Sequence, residues 1–143
     1  MAEQKATVLV VANRTAGSDE LLEALRARAA QEATRFHLVV PSTPRGVSWA
    51  ADMHSGSDAA EHDLEGALER LREAGIDIDG SVGDPDPVAA VQDAANKASY
   101  DEVIVSTLPK HVSKWLHLDL PRKTAHATGL PVTHVEAHSR ATA

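Results

Sequence analysis

The feature that most limits the fold of this chain is a set of short, valine-rich runs without polar alternation. Ala6 to Ala12 reads ATVLVVA, Arg35 to Val40 reads RFHLVV, and Val103-Ile104-Val105 forms a third run. Such runs are too short for typical helices, and the missing alternation points to strands buried on both faces. Strands of that kind need a layer on each side. Between the runs the spacing turns helical. Leu22, Leu25 and Ala29 follow the first; Ala60, Leu64, Ala67, Leu68, Leu71 and Ala74 form a stripe; Val88, Val91, Ala95 and Ala98 precede the third. Strands alternating with helices imply a parallel sheet with right-handed crossovers.

Local punctuation agrees with this period. Asn13 to Gly17 breaks the first run, and Ser18 is placed to cap the next helix. Pro41 is expected to end the second strand, because proline cannot donate to a ladder. Gly75 suits a helix C-terminus. Ile76 to Val82, IDIDGSV, reads as a weaker strand whose polar partners place it at a sheet edge. Gly83-Asp84-Pro85 is turn chemistry, with Gly83 expected to supply conformational freedom. Asp86-Pro87 is an N-cap followed by proline at the first helical position. Asp119 is expected to cap a further helix through Leu120, Thr124 and Ala127 that ends at Gly129, and Pro131 to Val135 closes the chain as a last strand.

The resulting order is βαβ(loop)αβαβαβ in one domain covering residues 1–143. Pro41 to Ser57 is long for such a connection. A short helical turn is expected around Ser48 to Met53, and the segment is expected to border a ligand crevice as a lid or packed insert. Trp49 and Trp115 are expected to cover that crevice and to pack a helical segment on the sheet, respectively.

Composition removes several functions. The 143 residues carry 14 Lys plus Arg against 21 Asp plus Glu, a formal charge of -7, so nonspecific nucleic-acid binding is disfavoured. With no cysteine, thiol catalysis and thiolate metal sites are excluded. The eight histidines lack metal spacing; His134 and His138 are about 13 Å apart at strand rise. No metal site is expected. No apolar stretch long enough to span a bilayer and no leader pattern is seen, so no membrane association is expected and a cytoplasmic location is the default.

Ligand sites in this architecture lie beyond the carboxyl ends of the strands. Asn13 and Arg14 leave the first strand there, the arginine offering a planar fork to an anion. Asp84 leaves the third strand as a candidate site residue: with Asp86 it forms a carboxylate pair suited to Mg2+ or to divided acid and base roles, and bracing the turn is its structural reading. Ser106, Thr107, Lys110, His111, Ser113 and Lys114 follow the buried VIV strand and combine hydroxyl and cationic groups suited to phosphate. His111 beside Ser113 has no third group to orient it, so no catalytic residue is assigned. Arg122 and Lys123 begin the final helix, which needs an anion or acidic neighbour in compensation.

VLVVA followed by a capped helix, GDPDPVAAVQDAA, Asp101-Glu102-Val103-Ile104-Val105, VSTLP, WLHLDLP and Leu130 to Val135 together resemble the universal stress protein family over nearly the whole chain. The likeness is to a branch common among high-GC Gram-positive bacteria. It implies an α/β three-layer sandwich of the adenine-nucleotide-alpha-hydrolase-like type, with a five-stranded parallel sheet in the order 3-2-1-4-5. It also implies adenine-nucleotide binding in many relatives and homodimerisation through the last strand, here Pro131 to Val135. The family's phosphate motif is altered: its two early glycines fall at Pro109 and His111, its late small pair near Leu118-Asp119, and its first-strand aspartate at Asn13. Proline lacks an N–H and leucine is bulky. The expectation is therefore a noncatalytic, regulatory or small-ligand-binding domain with an anion-binding crevice and no confidently assigned cofactor. The alternative is a member that binds, or slowly hydrolyses, ATP with Mg2+ through a rearranged phosphate site.

Overall fold

The computed structural model describes residues 5–12, 15–42, 55–109 and 119–137. In chain order these form β1 (Ala6–Val11), α1 (Asp19–Gln31), β2 (Thr34–Pro41), α2 (Ser55–Glu73), β3 (Ile78–Gly83), α3 (Pro87–Lys97), β4 (Glu102–Thr107), α4 (Leu120–Thr128) and β5 (Val132–Glu136). The five strands make one sheet in the order β3-β2-β1-β4-β5, and every neighbouring pair is parallel. Architecture and strand order both match the sequence expectation.

Successive residues of a strand point to opposite faces, so each valine-rich run feeds two cores. Val8, Val10, Phe36, Leu38, Val40 and Ile104 pack beneath α1 and α2, where they meet Leu21, Leu25, Leu64 and Leu71. Leu9, Val11, Val39, Val103 and Val105 face the other way, toward Ala90, Val91 and Ala94 of α3 and Leu120 of α4. Burying one such leucine or valine contributes about 1.5–3 kcal/mol.

The caps explain where the helices stop and start. Ser18 accepts from the Leu21 N–H, and Asp86 accepts from the Val88 N–H ahead of Pro87. At the end of α2, Ile76 N–H bonds to Leu71 O and Gly75 N–H to Arg72 O, with Gly75 at φ 90°. This paired closure needs a left-handed residue, and glycine adopts that conformation without a Cβ penalty.

Four expectations are corrected at the boundaries. Ile76 is held by the α2 closure, so β3 begins at Ile78 rather than Ile76. Pro41 does not stop β2 but is its last residue, paired with Gly83. The β1–β2 register ends at Val11 with Val39, so the missing Pro41 N–H falls beyond the last β1 partner. Gly83 has no positive φ; an added Cβ there would lie 2.8 Å from Val39 Cγ1 and 2.9 Å from Ala90 Cβ. Its role is to let α3 approach the sheet. Finally, β5 spans Val132–Glu136, shifted one residue from the expected Pro131 to Val135.

Asp119 takes the N-cap position of α4 in a left-handed conformation, φ 59°, without a side-chain cap bond. Its carboxylate instead lies 3.9 Å from the Arg122 guanidinium. An acidic neighbour thus stands by the cationic first turn of α4.

The β3 strand is an edge, as its polar alternation implies. On the α3–α4 side its face is only partly covered. The expected helical turn at Ser48 to Met53, together with Trp49 and Trp115, lies outside the described residues, as does most of the long connection from Pro41 to Ser57.

Candidate functional site

Strand order reverses between β1 and β4: β2 and β3 lie on one side of β1, β4 and β5 on the other. Adjacent loops diverge at such a point and leave a crevice. The β1–β4 register ends at Val11 with Val105, so Ser106 and Thr107 extend toward this point. The turn after β1 is joined to them by a hydroxyl pair, Thr15 Oγ1 to Ser106 Oγ at 2.6 Å, both side chains buried. Thr107 Oγ1 lies 2.7 Å from His134 Nε2 and donates to Leu108 O at 2.8 Å. A threonine hydroxyl has one proton to give. That proton serves Leu108 O or His134 Nε2, one at a time.

These contacts place two of the expected site residues, Ser106 and Thr107, at the crevice and show what occupies them. Each hydroxyl is engaged within the protein, so their role here is to hold the rim. Asp84 lies at the end of β3 and braces the turn by accepting the Asp86 N–H at 2.8 Å. That bond is the turn-bracing contact, and the strand order puts β3 two strands away from β1. Asn13, Arg14, Lys110, His111, Ser113 and Lys114 lie outside the described residues. Pro109 is described and has no N–H to offer a phosphate. His134, weighed in the sequence for metal spacing, is instead the partner of Thr107 across β4 and β5.

A second concavity lies on the α3–α4 side of the sheet, over β2 and β3. This cavity of about 690 Å³ is bordered by Val39, Ala90 and Ala94 and by the polar groups His37, Asp79, Ser81 and Tyr100. His37 Nδ1 is 2.7 Å from Asp79 Oδ1, and His37 Nε2 is 3.0 Å from Ser81 Oγ. The β2–β3 register sets this up by pairing His37 with Asp79 directly, so Ser81, two residues along β3, reaches the far side of the ring. The Tyr100 ring stands 6.5 Å from the His37 ring, centre to centre. Burial, then the nearby Asp79 carboxylate, pushes the Tyr100 phenol above its ordinary range. It stays protonated at neutral pH and is available as a donor.

None of these four residues was singled out in the sequence. The signal existed. His37 interrupts the apolar run of β2, and Asp79 and Ser81 share one face of the weak strand opposite it. Among the described residues, no three His, Asp or Glu side chains gather as metal ligands.

No model of a known protein family matches the chain, and no curated protein matches it. Solved structures do. A universal stress protein in complex with cAMP shares 23% identity, with a TM-score of 0.63 and coverage of 93% of this chain and 98% of that one. A universal stress protein family protein from Arabidopsis thaliana with AMP bound shares 15% identity, with a TM-score of 0.66 and coverage of 94% and 93%. The universal stress protein from Archaeoglobus fulgidus in complex with dAMP shares 13%, with a TM-score of 0.64 and coverage of 92% and 98%. Strand order, helix placement and these superpositions agree: the chain has the universal stress protein fold.

Proposed function

We propose that this protein is a regulatory member of the universal stress protein family that binds a small anionic ligand, without chemistry on it, in the crevice between β1 and β4. The observation that carries this reading is the buried Thr15–Ser106 hydroxyl pair, which ties the turn after β1 to the end of β4 where strand order reverses. Asn13, Arg14, Lys110, His111, Ser113 and Lys114 supply the ligand-facing polar groups in this reading, and Ser106 and Thr107 hold their supports. Asp84, at the end of β3, completes the set of candidate polar groups while its Oδ1 accepts the Asp86 N–H.

The neighbours named above were solved with cAMP, AMP and dAMP, which favours an adenine nucleotide as the ligand class. A monophosphate suits this chain better than a triphosphate, because Pro109 removes a backbone donor from the loop that would cradle further phosphates. Calorimetric titration with AMP, and with ATP plus Mg2+, tests the reading. A saturable AMP isotherm with weaker ATP binding supports it; tight ATP binding with steady phosphate release selects the slow-hydrolysing alternative instead.

Assembly follows from the same family reading. The β5 strand, Val132–Glu136, is the sheet edge opposite β3, and an open edge offers backbone groups to a second copy. We assign a homodimer to antiparallel pairing of this strand, around the segment Pro131 to Val135. Pairing of this kind works through the backbone, since Val132 packs toward the α3–α4 core and Val135 toward the α1–α2 core. Light scattering across a concentration range checks it, with a persistent monomer as the contrary result. Among the described residues no helix is long and apolar enough to cross a membrane; a cytoplasmic location is part of the proposal.

A further inference from the structure

We propose that Ser81 is an activated nucleophile that accepts an acyl group from a small carboxylic ester entering the groove over β2 and β3. The case rests on order and on tautomer. Asp79, His37 and Ser81 form one hydrogen-bonded line, with 2.7 Å from Asp79 Oδ1 to His37 Nδ1 and 3.0 Å from His37 Nε2 to Ser81 Oγ. A carboxylate can only accept, so Nδ1 carries the ring proton in the neutral histidine. Nε2 is then left with its lone pair toward the Ser81 hydroxyl. That is the arrangement a general base requires.

The surroundings fit an ester better than a phosphoryl donor. Asp79, Asp84 and Asp93 line the groove against Arg35 and Lys97, a balance that disfavours a dianionic phosphoryl group. An uncharged ester meets no such repulsion, and Val39, Ala90 and Ala94 offer a short acyl chain an apolar wall. The volume, about 690 Å³, lies within the range of small-molecule sites. Ser81 itself is exposed and therefore reachable.

In the reaction, Ser81 Oγ bonds to the ester carbonyl carbon while His37 Nε2 takes the hydroxyl proton. The carbonyl electron pair moves to its oxygen, for which the Tyr100 phenol, the Arg35 guanidinium and the Lys97 ammonium are donors lining the groove. Collapse of the adduct breaks the carbon–alkoxide bond, and His37 returns the proton to the departing alcohol. Water then attacks the acyl-serine, His37 takes one water proton, and the Ser81 oxygen leaves and is reprotonated. The net products are a carboxylic acid and an alcohol. His37 acts as the base, and Asp79 is a positioning residue that acts through it.

The test uses the whole chain with p-nitrophenyl butyrate, followed by mass spectrometry of the digested protein. We expect acyl transfer to Ser81 with release of p-nitrophenol, and no such adduct in Ser81→Ala. In His37→Gln the acylation rate falls about 100-fold. Asp79→Asn lowers it with circular dichroism unchanged, which a merely structural role would not produce. If His37→Gln does not fold, Asp79→Asn and Ser81→Ala carry the same comparison. No Ser81 adduct on the folded wild type, an adduct elsewhere alone, or a Ser81 rate indifferent to the folded His37 and Asp79 variants would overturn the proposal.

Discussion

Two grooves lie at opposite edges of this sheet, on opposite faces. Strands are spaced about 4.8 Å apart, whereas a helix is about 10 Å across, so two helices cover roughly four strands. Each face of a five-stranded sheet therefore leaves part of an edge strand bare. On the α1–α2 side the gap lies toward β5, a cavity of about 300 Å³ bordered by Ala24, Ala27, Arg28, Glu102 and Thr133. On the α3–α4 side it lies over β3 and is the larger cavity described above. A common geometric cause has been filled in two ways.

The β5-side gap is occupied by charge. Arg28 is only 14% exposed and bonds through Nε to Glu102 at 2.9 Å and through Nη2 to Glu32 at 3.0 Å. The guanidinium links α1 to the start of β4 through Nε and bonds Glu32, the residue after α1, through Nη2. The β3-side gap is instead lined by alanines and by a histidine joined to an exposed aspartate and serine. One groove is filled by groups that need each other; the other keeps its groups open to solvent. Small side chains on a covering helix leave space, and a long arginine consumes it.

Substitutions at the two grooves should therefore have opposite signatures. The largest expected effect is at Arg28. Arg28→Ala leaves the Glu102 carboxylate, 21% exposed, without its partner, and should cost about 2–3 kcal/mol, below the range for a fully buried pair. Chemical denaturation would show a lower midpoint with an unchanged slope. Gly83→Ala should come next, at about 1–3 kcal/mol, because the new Cβ meets Val39 and Ala90 at under 3 Å. A neutral result there would mean that α3 is not held against the sheet.

His37→Gln should alter stability by less than about 1 kcal/mol, since its partners are exposed and can turn to water. A loss as large as that of Arg28→Ala would make the β3-side groove structural and would erase the contrast. The smallest effect is expected at Lys5→Ala, a few tenths of a kcal/mol, because the Lys5–Asp77 pair is about half exposed. The hydrogen bond from Lys5 holds the Asp77 carboxyl below its ordinary range. A depressed carboxyl stabilises the fold above its unfolded pKa and loses that contribution as pH falls through its folded pKa. Wild type and Lys5→Ala should thus differ at neutral pH and converge in acid, as parallel denaturation series would show.

The fold was legible because its signals are local and agree with one another. ATVLVVA and RFHLVV could not be half-exposed strands, Ser18 and Asp86 marked helix starts, and Gly75 marked a stop. Boundaries moved where tertiary contacts took over. Ile76 was drawn into the α2 closure, and Pro41 was tolerated because β1 had already ended. The site was less legible. Ser106 and Thr107 were placed at the switch crevice by position in a βα pattern, but nothing local showed that their hydroxyls would engage Thr15 and His134. The His37–Asp79–Ser81 line depends on a register between two strands separated by the long α2 connection, and no local spacing encodes it. Gly83 was read as a conformational residue when its actual constraint is α3 packed against it, a partner seven residues onward.

The most direct measurement of the functional account is calorimetric titration of AMP into wild type, Lys110→Ala and His37→Gln. Binding at the β1–β4 switch predicts one saturable site per chain, weakened by loss of the Lys110 charge and unchanged by loss of the His37 ring. No saturable heat with AMP, or binding that survives Lys110→Ala and disappears with His37→Gln, would contradict it.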